Sequence, residues 1–298
     1  MKKVIFKGCG TAIITPFTDD GVNFDEFKKL IEFQIENNVD SIIVCGTTGE
    51  SATMTLDEKK EVIKFAVDVV NGRVPVIAGT GSNSTKSAIE LSKHAKSVGV
   101  DGLLLVSPYY NKTTDEGLIK HYTAIAKETS LPIILYNVPS RTGLNISPKV
   151  CFELSKIENI VAIKEASGNI SQVAEIAALC KDNLNIYSGN DDQTIPILSL
   201  GGIGVISVLS NIKPKEVHEM VMHYLDGNLE TAKKMQLENL ELVKALFSEV
   251  NPIPIKAALN MLGFNVGVPR LPLVEMSEDR KEKLRKCLWL IELNLYIW

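Results

Sequence analysis

The sequence predicts an α/β protein: a (β/α)8 TIM barrel carrying a C-terminal helical appendage. Three observations lead there. Eight short apolar runs recur at nearly even intervals, rich in Ile and Val and mostly not alternating with polar residues. Parallel strands buried on both faces read this way. Amphipathic helical stretches lie between the runs, which is the alternation that builds a parallel sheet. The first run, GTAIITPF, does not lead into a glycine-rich phosphate-binding turn, and this argues against an open doubly wound sheet.

The strands are expected at Gly10–Pro16, Ser41–Cys45, Val74–Gly79 and Gly102–Ser107, then Pro132–Val138, Ile160–Lys164, Leu184–Ser188 and Gly204–Val208. The first helix, Phe24–Asn37, places Phe24, Phe27, Ile31 and Ile35 along one side. Thr55–Val70 opens TLDE, in which Thr55 and Glu58 have the spacing of a capping box. Thr85–Val98, Asp115–Thr129, Ser147–Ser155 and Ile170–Cys180 follow the same scheme. The barrel pattern ends near Tyr224, so residues 1–224 form the expected barrel and 225–298 the appendage. Within the appendage Leu229–Phe247 and Ser277–Leu293 read as helices joined by a connection, NPIPIKAALNMLGFNVGVPRLPL. The closing LWLIELNLYIW is apolar enough to dock rather than dangle.

Composition narrows the function. The chain has 298 residues, 45% hydrophobic and 23% charged, and a net charge of −4, so it lacks the basic surplus of a nucleic-acid binder. Its five cysteines (Cys9, Cys45, Cys151, Cys180, Cys287) are scattered with no metal-ligand spacing, which suits reduced thiols in a cytoplasmic protein. No apolar run approaches the length that spans a bilayer, and VIF is too short for a signal-peptide core. The four histidines (His94, His121, His218, His223) mostly fall on expected helices and form no zinc motif. GTGSNST and GGIG are glycine-rich, yet alone they are weak phosphate signals.

Barrel chemistry sits at the C-terminal ends of the strands. Lys164 closes the run IVAIK, so its amine starts in an apolar mouth where desolvation favours the neutral, nucleophilic form. The alternative is a strand-end lysine reaching for water. Tyr136 ends the neighbouring strand and could relay protons, or simply line the barrel. Thr47 and Thr48 sit in a glycine-flanked turn that could hold a carboxylate, or be an ordinary hydroxyl-capped turn. Arg141, in a loop between Pro139 and Gly143, could grip a carboxylate through two hydrogen bonds, or form an exposed ion pair. Tyr109 and Tyr110 read as packing or interface aromatics.

Taken together, GTTGES, SPYYN, YNVPSRTG, IKEASG and GVISV, followed by NPIPIK, resemble the dihydrodipicolinate synthase family of pyruvate-dependent, Schiff-base enzymes. The resemblance runs in order over essentially the whole chain. It implies that Lys164 forms the Schiff base with pyruvate. Tyr136, Thr47 and Tyr110 match the hydroxyl relay, Tyr110 coming from a neighbouring subunit. Thr48 matches the residue holding the pyruvate carboxylate, Gly189 and Ile206 match positions around the substrate, and Arg141 matches the group meeting L-aspartate 4-semialdehyde. The resemblance further implies no metal or organic cofactor, a tight homodimer that pairs into a tetramer, and a product, 4-hydroxy-tetrahydrodipicolinate, for lysine and diaminopimelate biosynthesis. The alternative within the superfamily is a lyase for N-acetylneuraminate or a 2-keto-3-deoxy sugar acid, which usually lacks the arginine.

Two departures stand out. Ser51, Ala52, Asn83 and Tyr109 fit the pattern of lysine-inhibited members. Leu56 and Lys59, however, stand where those can carry histidines, and Ser87 where they can carry a glutamate. Losing a carboxylate and gaining a cation disfavours a cationic ligand, so weak or absent inhibition by lysine is expected. Asn190 in SGNDD replaces a frequent acid.

Overall fold

Eight parallel strands close on themselves in the computed structural model, which describes residues 2–295. The strands are β1 (Gly8–Ala12), β2 (Ser41–Val44), β3 (Val76–Gly79), β4 (Gly102–Val106), β5 (Ile133–Asn137), β6 (Ile160–Glu165), β7 (Asn185–Ser188) and β8 (Gly204–Ser207). Each pairs with the next, and β8 returns to β1 in parallel. Side chains alternate between two apolar layers. Ile43, Ile77, Leu104, Ile134 and Ile206 fill the interior, while Ile42, Val44, Leu103, Leu135 and Ile163 pack outward beneath the helices. Because both layers are apolar the strands show no alternation in sequence, as parallel sheets generally do not.

The helices α1 (Phe24–Glu36), α2 (Leu56–Val70), α3 (Thr85–Ser97), α4 (Asp115–Glu128), α5 (Pro148–Ser155), α6 (Ile170–Cys180), α7 (Thr194–Ser199) and α8 (Pro214–Leu225) follow the strands in turn. The capping box before α2 is formed: Thr55 accepts from the Glu58 N–H and Glu58 reaches back to the Thr55 N–H. Such reciprocal caps satisfy two N–H groups that a helix leaves open. Asn23, Ser84, Thr114, Ser147 and Asn169 cap α1, α3, α4, α5 and α6 through their side chains.

Two expectations shift. The first strand lies at Gly8–Ala12 rather than Gly10–Pro16. Its start is fixed by backbones in close approach, since a Cβ at Gly204 would come within 2.4 Å of the Gly8 carbonyl oxygen. Residues beyond Ala12 turn away into a short hairpin, Phe17–Thr18 against Gly21–Val22. The helix expected over Leu229–Phe247 is two, α9 (Leu229–Glu238) and α10 (Leu240–Leu246). Asn239 ends the first by folding its amide back onto the Met235 carbonyl, a side-chain bond that competes with helix continuation.

The connection after α10 contains a further helix, α11 (Ile253–Met261), before α12 (Glu278–Leu295). Its prolines look like breakers, but Pro252 and Pro254 stand at the helix start, where no N–H is needed. The appendage lies against the barrel through specific bonds. Phe17 N–H donates to the Val266 carbonyl, Asn265 N–H to Glu26, and the Gln236 amide to the Asp191 carbonyl. Leu288 is buried; the docking expected of the closing apolar residues otherwise falls outside the described side chains.

A tie between barrel and helix carries a pH signature. His218 Nδ1 on α8 lies 2.7 Å from Asp40 Oδ2, which also accepts from Cys9 N–H. This hydrogen bond raises the imidazole above its usual 6.5, against a smaller opposing effect of burial. A raised folded-state value means the contribution is complete below 6.5 and fades as pH climbs through the folded value. The Tm gap between the protein and a His218→Gln variant should therefore be widest in mild acid and narrow in mild alkali. A gap that widens with pH would contradict the pairing.

Candidate active site

Lys164 is the sixth barrel strand's inward residue near its C-terminal end, and only 5% of it is exposed. Its register partner on β5 is Tyr136, whose ring centroid lies 4.4 Å from the Lys164 amine. The amine therefore sits on an aromatic face beside a phenol. On the other side comes the loop after β7. A Cβ at Gly189 would lie 3.1 Å from Lys164 Cε and 2.6 Å from the Ala166 Cβ, so glycine leaves the space the lysine chain occupies. Ile206 on β8 is fully buried in the same interior layer as Tyr136.

Asp191 ties these loops together. Its buried carboxylate accepts from the Ser207 hydroxyl at 2.5 Å and from Val208 N–H and Leu209 N–H at 3.0 Å each. Burial pushes the Asp191 carboxyl up, opposed by those hydrogen bonds and by the charge of Lys164. The turn after β7 and the end of β8 are thus held as one unit. Asn190, beside it, is half-buried and donates to Gln193 Oε1.

A cleft of about 460 Å³ opens beside the threonine turn, lined by Thr47, Lys59, Tyr109, Arg141 and Asn251 among others. Thr48 is buried, and its hydroxyl oxygen accepts from the Asn251 amide at 3.0 Å. The Asn251 carbonyl accepts from Arg141 Nη2 at 3.1 Å. Asn251 thus touches both groups expected to bind carboxylates. Its role has no local sign in the sequence: it lies 203 residues from Thr48, in NPIPIK, which carries resemblance to the family but does not name Asn251 as a partner of the turn. Glu50, the acid that closes GTTGE, was missed likewise: it is buried in a 2.6 Å ion pair with Lys256 of α11.

Cys45, buried at the end of β2 and outside the cleft lining, is quiet: burial pushes its thiol up to about 12, against the charge of Lys59, so no thiolate forms there at neutral pH. Burial lowers the Lys59 amine. Among the described residues, no group of three or more His, Cys, Asp or Glu side chains is placed to hold a metal ion. Tyr110 stands apart: it is 93% exposed, with a left-handed backbone (φ +70°), and takes no part in its own chain's mouth.

The Dihydrodipicolinate synthetase family model matches residues 5–290. The chain belongs to that family. It is 61% identical over 285 residues to the 4-hydroxy-tetrahydrodipicolinate synthase of Caldicellulosiruptor saccharolyticus, covering 95% of this chain and 96% of that one. It is 59% identical over 281 residues to 4-hydroxy-tetrahydrodipicolinate synthase 1 of Clostridium acetobutylicum, covering 94% and 96%. Among solved structures, the dihydrodipicolinate synthase of Aquifex aeolicus superposes with a TM-score of 0.95 at 46% identity, covering 97% of this chain and 99% of that one. Within this family's barrel, the appendage of the chain supplies Asn251 to the threonine turn.

Proposed function

We infer that this chain is a 4-hydroxy-tetrahydrodipicolinate synthase, condensing pyruvate with L-aspartate 4-semialdehyde on the route to diaminopimelate and lysine. The observation that carries the reading is the Lys164 amine, enclosed at the barrel mouth against the Tyr136 ring. In this reading the amine attacks the pyruvate ketone to give a carbinolamine. Loss of water leaves an iminium, which draws electrons from the adjacent methyl group. Removal of a methyl proton gives an enamine, whose carbon attacks the aldehyde. The substrate's own amine then closes the ring onto the former ketone carbon and expels Lys164.

Tyr136, Thr47 and Tyr110 are proposed as the relay that moves protons to and from the carbinolamine oxygen. Thr48 is proposed to hold the pyruvate carboxylate, with Gly189 and Ile206 flanking it, and Arg141 to meet the aldehyde's carboxylate. Arg141 lines the cleft beside the threonine turn, which suits a second acidic substrate better than a neutral sugar. The exposure of Tyr110 supports a dimer in which each chain donates this tyrosine to its neighbour, and we propose pairs of such dimers. No helix among the described residues is long and apolar enough to cross a membrane, and a cytoplasmic location is proposed. Lys59, half-buried at the cleft, supports weak inhibition by lysine.

The test is a condensation assay with pyruvate and L-aspartate 4-semialdehyde, run beside a cleavage assay with N-acetylneuraminate and 2-keto-3-deoxy sugar acids. Condensation without cleavage is expected, with activity kept in millimolar L-lysine. Cleavage without condensation would overturn the synthase reading, and submillimolar inhibition would overturn the regulatory one.

A further inference from the structure

The outer layer of the barrel is apolar along β5 and β6 until the last register pair. Ile133, Leu135 and Ile163 pack outward beneath the helices. The next outward residues are Asn137 and Glu165, both essentially unexposed and directly paired across the two strands. A buried carboxylate is costly unless its oxygens are hydrogen-bonded. Here Glu165 accepts from the Asn137 amide at 3.0 Å, from Ser167 N–H at 2.7 Å and from the Gln172 amide at 3.2 Å. Asn137 also donates to Asn145 Oδ1 and accepts from Ile146 N–H. Asn145 in turn donates to Gln172 Oε1. The network joins both strand ends, the segment after β5 and the first turn of α6.

Its position gives it a consequence inside the barrel. Successive strand residues point to opposite faces. The pair immediately before Asn137 and Glu165 is Tyr136 and Lys164, facing inward. Both strands end at this point, where a ladder would otherwise be free to twist. We propose that Glu165, with Asn137 and Gln172, forms a positioning lock on the barrel's outer face that holds Lys164 and Tyr136 in reacting register. This rests on Lys164 being the Schiff-base nucleophile. The three residues do not touch substrate; they act through the two that do.

The experiment measures the rate of borohydride-trappable imine formation with pyruvate, per folded molecule, together with kcat and KM. The wild-type enzyme is mapped first, and an adduct absent from Lys164 would overturn the functional reading and this inference with it. With that adduct in place, Glu165→Gln keeps the shape but sets N–H against N–H. Imine formation and kcat should fall about 10- to 100-fold, the scale of a displacement near 1 Å, while KM for pyruvate stays within about threefold. Gln172→Met removes the amide that donates to Glu165 and accepts from Asn145, at a helix position whose own N–H remains capped by Asn169. It should show the same pattern, at roughly 3- to 10-fold, and it decides the matter if Glu165→Gln does not fold. The exchange Asn137→Asp with Glu165→Gln restores a carboxylate–amide pair across the same register and should recover most of the rate. Wild-type imine formation in the folded single variants, a loss confined to KM, or no recovery in the exchange would overturn the lock.

Discussion

Replacing Lys164 by alanine should lower kcat by roughly 10³-fold or more, because it removes the amine enclosed against Tyr136 that forms the iminium. Lys164→Arg should fail as completely, although it keeps the charge, since a guanidinium stays protonated and does not add to a ketone. The pair separates nucleophilic from electrostatic roles. If the charge alone mattered, the arginine variant would retain much of the activity. Stability should move less than activity. Lys164 makes its near contact with an aromatic ring and forms no ion pair, and the buried Asp191 carboxylate that feels its charge keeps three hydrogen bonds when the lysine is removed. Steady-state kinetics beside thermal melts of both variants make the check, and more than a few per cent of wild-type kcat in either would contradict the assignment.

The largest stability effect should come from the tie between the threonine turn and the appendage. Glu50 and Lys256 are 2.6 Å apart with side chains 0% and 1% exposed. Lys256 also lies 4.2 Å from the Phe17 ring centroid, and Glu50 accepts from Arg270 N–H. Burial lowers the Lys256 amine even though Glu50 raises it, so desolvation outweighs the attraction. Removing one partner leaves a buried charge without its counterion. Lys256→Met or Glu50→Gln alone should therefore cost about 3–5 kcal/mol. The double variant removes both charges and should recover most of that loss, because the pair itself adds little net stability. Denaturant midpoints at unchanged m-value measure this. Additive losses in the double variant would show that the pair is not coupled.

The barrel was legible because its signals are local. Apolar runs such as SIIV and IIL, and caps such as Thr55 with Glu58, report on their own neighbourhoods. Lys164 was legible for the same reason: a cation closing the run IVAIK is chemically conspicuous. The roles of Gly189 and Ile206 rest on resemblance alone, since a glycine and an isoleucine have no chemistry that spacing can single out, whereas the turn of Thr47 and Thr48 reads equally as a carboxylate holder or an ordinary cap. Contacts between distant segments were hidden. Nothing near Glu50 says that its partner is a lysine on α11, and nothing near Thr48 names Asn251. The start of α11 falls at Pro252 and Pro254, inside what reads as a connection, and the break at Asn239 between α9 and α10 depends on a side-chain bond to the Met235 carbonyl. Glu165, inside KEASG, has no local sign of its role, because its partners lie on β5 and α6.

The most direct test of the account is borohydride reduction of the enzyme with pyruvate, followed by peptide mass mapping. A single reduced pyruvate adduct on the peptide containing Lys164, absent when pyruvate is omitted, is the expected result. No adduct, or an adduct on Lys59, Lys256 or another lysine in its place, would contradict the central claim.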